Sequence, residues 1–180
     1  DVAAWEAQQY FNAGGSTIVD VTSVGLSRDP MALVRISRQT GLNVVMGAGN
    51  YVHSTHAPEL EDLTVEQIAG QIIHDIDQGV SDTGIRSGII GEIGCSWPWH
   101  DSEKKMLEAA VIAQRETGAP LLIHPGRNER APIDILEAVD KWGGNLSRTV
   151  MGHVERTVYD RGILNELIAM GSYLNFDLFG

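Results

Sequence analysis

The sequence predicts an α/β fold built on a parallel sheet. Two observations carry this. Six short runs rich in Val, Ile and Leu begin at residues 17, 43, 88, 120, 149 and 172, and most are apolar on both faces, as parallel strands covered on each side are. Between them lie longer stretches with helical periodicity and readable ends. Strict strand–helix alternation implies right-handed crossovers. The 180 residues suit one domain large enough to bury a core, and no Pro/Ser-rich linker divides them. The spacing fits a doubly wound sheet or a (β/α)8 barrel.

A helix is expected over residues 1–10, ahead of the first strand at 17–23 (TIVDVTS). Asp29 followed by Pro30 reads as an N-cap with proline in the first turn, and Gly41 stops that helix. The second strand is 43–49 (NVVMGAG). Thr64 and Gln67 form a capping box, from which Ile68, Ile72, Ile73, Ile76 and Val80 run along one helical face. The third strand, 88–95 (GIIGEIGC), leads to a helix carrying Met106, Leu107, Ala110 and Val111, ended by Gly118 and Pro120. The fourth strand is 120–125 (PLLIHP), followed by a helix with Ile135, Leu136 and Val139 that Gly143-Gly144 closes. After the fifth strand, 149–154 (TVMGHV), Asp160 caps a helix carrying Ile163, Leu164, Leu167 and Ile168 before Gly171. The last strand is 172–179 (SYLNFDLF).

Composition excludes several functions. With 13 Lys+Arg against 24 Asp+Glu the net charge is −11, which disfavours nucleic acid and anionic membrane surfaces as partners. The acidic stretch from Arg38 to Arg86, which has no cation between those ends, reads as a solvated face. No apolar run approaches the ~20 residues of a membrane span. Cys95 stands alone, so no internal disulfide is expected. The expected setting is the cytoplasm. Asn145-Leu146-Ser147 matches a glycosylation acceptor, a triplet that chance often supplies.

In either architecture the active site collects at the carboxyl ends of the strands. Glu92, His124 and His153 stand near the ends of three consecutive strands, where an ionisable group is expensive unless paired or metal-bound. Adjacent parallel strands run about 4.8 Å apart, so the three can converge on one ion as a His2Glu zinc set or serve as separate hydrogen-bonded pocket residues. Gly47-Ala48-Gly49 begins a dinucleotide-binding glycine pattern, but Val52 replaces its third glycine. His53 and His56 lie in a loop-like segment and read as pocket-lip residues. Cys95, three residues from Glu92, points the opposite way and reads as a buried inert thiol. Trp97 forms an aromatic pocket wall or packs over the rim. Arg127 meets an anionic substrate group or a nearby carboxylate. Glu155 shares strand parity with His153 and is a candidate supporting partner; Asn175 and Asp177 share one face of the last strand.

GIIGEIGCSWP, LLIHPGR, VMGHVERT and YLNFDLFG, in that order, closely resemble the phosphotriesterase-related proteins of the phosphotriesterase family, within the amidohydrolase superfamily. The resemblance spans essentially the whole chain. It implies an incomplete TIM (β/α)8 barrel over residues 1–180, strands 2–7, without strand 1 and strand 8. It further implies a metal-dependent hydrolase with two divalent ions, zinc expected. Glu92 is then the bridging and catalytic carboxylate, with His124 and His153 the strand-5 and strand-6 metal ligands. The family's H-x-H and strand-8 Asp have no counterpart here, so these residues alone are expected to be inactive. The implied reaction is attack of an activated hydroxide on an ester, lactone, amide or phosphotriester. Arg127, Tyr51 and Trp97 are the expected substrate contacts. The expected partners are a small-molecule substrate and a second copy in a homodimer. The alternative is a non-catalytic zinc- or ligand-binding protein on the same barrel.

Overall fold

The computed structural model describes residues 2–178; the first residue of the expected opening helix and residue 179 of the expected last strand lie outside them. Helix α1 (Val2–Asn12) precedes β1 (Thr17–Asp20), and then α2 (Pro30–Thr40) leads to β2 (Asn43–Ala48). Next come α3 (Val65–Asp77), β3 (Ile89–Gly94), α4 (Asp101–Thr117) and β4 (Leu121–His124). The chain continues through α5 (Ala131–Lys141), β5 (Thr149–Met151), α6 (Arg161–Ala169) and β6 (Tyr173–Leu174).

The six strands form one parallel sheet in the order β1-β2-β3-β4-β5-β6. A doubly wound sheet reverses direction at a switch point; sequential order without reversal is the order of a (β/α)8 barrel. The sheet is an incomplete barrel. Its core packs Ile90, Ile93, Leu121 and Ile123 of the central strands against Ile68 and Ile72 of α3, Met106, Leu107 and Val111 of α4, and Leu136 and Val139 of α5. All of these are 3% exposed or less.

The expected caps are present. Asp29 accepts from Ala32 N, Thr64 and Gln67 close a reciprocal box, and Asp160 Oδ1 accepts from Ile163 N. Other boundaries are corrected. The strands are shorter than their apolar runs. β1 stops at Asp20, whose Oδ1 takes the Thr22 amide in a turn. β6 is only two residues long, because the amides of Asp177 and Leu178 go to the Glu155 carboxylate rather than to a ladder. Helix α3 ends at Asp77, not Val80, because Gln78 N and Gly79 N both turn back to the His74 carbonyl. Asn145, of the glycosylation-like triplet, caps a 3-10 turn through Ser147 N. No helix among the described residues is long and apolar enough to cross a membrane.

Candidate metal centre

The strand ends bring three side chains to one spot. Glu92 sits two residues before the end of β3, His124 ends β4, and His153 follows β5 by two residues. His153 Nε2 lies 3.0 Å from Glu92 Oε1, and His124 Nδ1 lies 3.2 Å from Glu92 Oε2. The two imidazoles meet edge to face with centroids 4.6 Å apart.

Local backbone makes this possible. A Cβ on Gly152 would stand 3.0 Å from the Ile123 carbonyl oxygen and 3.5 Å from Glu92 Oε1. The glycine before His153 therefore lets the end of β5 pass close to the Ile123 carbonyl of β4, while the Glu92 carboxylate would tolerate a Cβ in ordinary contact. His153 itself is left-handed, φ 53° and ψ 38°, a conformation that costs a non-glycine residue about 1–2 kcal/mol. Thr157 Oγ1 donates to its carbonyl at 2.9 Å and anchors the bend. Strain of this kind concentrates where a side chain must be aimed.

The other face of the His153 ring meets Asp177, with Nδ1 2.7 Å from Oδ2. Burial would raise the Asp177 pKa, but the His153 hydrogen bond and the nearby His153 and Arg156 charges hold it below its ordinary value. It therefore stays an acceptor that fixes the imidazole's orientation. The expected strand parity of Glu155 with His153 is corrected. Glu155 lies in a 3-10 turn, Val154–Arg156; it accepts the Asp177 amide at 3.2 Å, and its carboxylate lies within 4.8 Å of ligand atoms of His153 and Asp177. Asn175 Nδ2 adds a donor to Asp177 at 3.2 Å, but neither residue is in β6.

The donor chemistry fits a divalent metal. Two groups place ligand atoms all within 4.8 Å of one another: Glu92, His124 and His153, and His153, Glu155 and Asp177. The first is a His2Glu set, which suits zinc. Its side chains are only 16–20% exposed. His53 and His56 belong to neither group.

Of the expected substrate contacts, Tyr51 lies in the centre. Its hydroxyl is 3.0 Å from His124 Nε2. Burial, then the Glu92 charge, raises its pKa, against lowering by Arg156 and Arg127, so the phenol is neutral at neutral pH. Arg127 is exposed and reaches the centre through that charge effect. Trp97 is 41% exposed and backs onto Gly126, where a Cβ would stand 2.7 Å from the Trp97 Cβ.

Arg156, passed over in the sequence, places Nη2 3.2 Å from His124 Nε2. Its signal was a cation three residues after His153 in VMGHVERT.

The histidine-rich loop is built around a buried carboxylate, Glu103. The His53 ring stacks on His100 at 3.5 Å, and Nδ1 of both lies 3.0 Å from Ser102 Oγ. His56 Nε2 donates to the Tyr51 carbonyl at 2.8 Å, and burial keeps its pKa below 6.5. Glu103, fully buried, accepts from His53 N.

The glycines of Gly47-Ala48-Gly49 serve packing. A Cβ on Gly47 would overlap the Gly91 carbonyl oxygen across the β2–β3 pair. Cys95 is fully buried; burial foremost, then the Glu103 charge, raises its thiol pKa well above 9.0. Iodoacetamide at mildly alkaline pH is expected to spare Cys95 in the folded protein and label it in urea, since the thiolate is the nucleophile. Mass spectrometry showing equal labelling in both conditions would contradict the burial.

The Phosphotriesterase family model matches residues 2–180. An N-acetyltaurine hydrolase from Salmo salar is 47% identical over 175 residues, covering 97% of this chain and 50% of that protein. A crystal structure of a resiniferatoxin-binding protein from Rhodobacter sphaeroides matches with TM-score 0.96 and 38% identity, over 100% of this chain and 50% of that one. A mutant phosphotriesterase-like lactonase from Deinococcus radiodurans matches with TM-score 0.86 and 25% identity, over 95% of this chain and 54% of that one. The chain spans about half the length of the curated relatives it matches.

Proposed function

The chain belongs to the phosphotriesterase family, and from that premise we propose that the whole protein is a metal-dependent hydrolase of small-molecule amides. The convergence of Glu92, His124 and His153 at the carboxyl ends of β3, β4 and β5 carries this reading. Essentially every characterised TIM-barrel enzyme places its active site at that face. The likeness to an N-acetyltaurine hydrolase favours an amide over the ester, lactone and phosphotriester alternatives.

Glu92, His124 and His153 would hold the metal, zinc by their chemistry. A bound divalent ion would supply Lewis acidity and lower the pKa of water toward ~7. The chain's own residues do the rest. Asp177 fixes the His153 ring. The neutral Tyr51 phenol, beside His124, offers a hydrogen bond into the site. Trp97 and Arg127 would line the approach to it. A second ion would need donors from strands 1 and 8. Exposed apolar side chains on the outer elements, Trp5 of α1, Val19 of β1 and Tyr173 of β6, are where those strands and their helices would pack.

Zinc-loaded whole protein is expected to hydrolyse N-acetyltaurine, with loss of activity on chelation and recovery on zinc addition. Activity that survives complete metal removal would sink the metal-dependent reading. A second reading, non-catalytic ligand binding, is favoured by the likeness to the resiniferatoxin-binding protein. It predicts bound zinc with no turnover across amide, ester and lactone panels.

A further inference from the structure

We infer that Arg156 is the anion-recognising residue of this site, and that the substrates are short N-acyl amines ending in a sulfonate or carboxylate. The substrate class rests on the hydrolase reading above. The anion subsite rests on the geometry.

In a chain of net charge −11, a guanidinium stands beside the three converging side chains. Arg156 Nη2 lies 3.2 Å from His124 Nε2, and the Tyr51 hydroxyl lies 3.0 Å from the same nitrogen. Among the described residues no carboxylate comes within 4.0 Å of Arg156, and its Nε is buried with no hydrogen-bond partner. A buried N–H without an acceptor is unfavourable, and an incoming anionic acceptor would offset it.

Arg28 is the contrast. Its side chain is 7% exposed, but it is spent on Asp75 at 2.8 Å and the Gly47 carbonyl at 2.9 Å. Arg156 is half-buried, turns Nη2 to His124 and has no carboxylate partner among the described residues, its Nε being left without a hydrogen bond. Guanidinium matches sulfonate and carboxylate oxygens in pairs. Arg127 adds a second positive charge from an exposed loop, acting with Arg156 on the Tyr51 phenol. An amide carbonyl held near Glu92, His124 and His153 then leaves the acidic end of a short substrate for Arg156, whose Nη2 stands 3.2 Å from His124 Nε2.

The test uses zinc-loaded whole protein and three ligands of matched shape: N-acetyltaurine, N-acetyl-β-alanine and neutral N-acetylethanolamine. Calorimetric Kd and kcat/KM are both read, with metal content checked in each variant. Wild type should prefer the two acids. Arg156→Met should weaken both acids by roughly 100-fold while moving the neutral amide less than about threefold, and Arg156→Lys should restore about tenfold. Equal affinity of wild type for acids and neutral amide would overturn the inference. So would an equal loss on all three ligands in Arg156→Met, with or without metal loss. Selective binding of the acids without turnover leaves Arg156 in its role and removes the hydrolase reading. Turnover of all three ligands alike does the opposite.

Discussion

Glu92→Gln, His124→Ala and His153→Ala, each made in the whole protein, are expected to abolish tight zinc binding and with it hydrolysis. The loss should exceed the roughly 10–100-fold that removing a supporting partner of a metal ligand costs, because each variant removes a donor itself. Glu92→Gln is the sharpest of the three. It keeps the size and shape of the side chain but removes the carboxylate that both imidazoles face at 3.0 and 3.2 Å. Asp177→Asn is the internal control. It leaves the three donors in place and disturbs only the orientation of His153, so it should fall inside that 10–100-fold range. Metal content after dialysis, with circular dichroism to verify folding, checks all four. Full zinc occupancy in the three donor variants would remove Glu92, His124 and His153 from the metal-binding role.

Those three residues were legible because an ionisable group in an apolar strand demands a reason, and three at matching depth on consecutive strands demand a common one. The helices were legible for a similarly local reason: Asp29, Thr64 and Asp160 each cap the helix expected of them. Strand ends were not legible. Apolar character persists through Val154 and Phe176, but the ladder ends where the backbone finds other partners: Val154 N goes to the Asn175 carbonyl, outside β5 and β6. Arg156 was missed because a loop cation has many bland uses, and only the structure shows its Nε without a partner. His100 was missed for another reason. Histidine is outside the usual N-cap set, yet its ring accepts from Ser102 N and begins α4.

Glu103 escaped notice as an ordinary polar residue in the first turn of a helix, and its removal is expected to be among the most destabilising changes to this fold. Its carboxylate is fully buried and accepts from His53 N at 2.8 Å, Ser96 N at 2.8 Å, Ser96 Oγ at 2.7 Å and His100 N at 3.2 Å. No Lys or Arg pairs with it among the described residues, so these donors and the α4 N-terminus are what compensate its burial. Glu103→Ala would strand several donors from two loops at once and should cost on the order of 3 kcal/mol. Glu103→Gln keeps one acceptor oxygen and should cost about half as much. The consequence reaches the candidate site. The Ser96 loop carries Trp97, while the His53 loop carries Tyr51, whose carbonyl His56 holds at 2.8 Å. Amide hydrolysis should therefore fall further than zinc content, since β3, β4 and β5 still deliver the metal donors. Urea denaturation of the whole protein, zinc analysis and kcat/KM are read together. An unchanged urea midpoint in Glu103→Ala would show that the four donors find water as good a partner as the carboxylate.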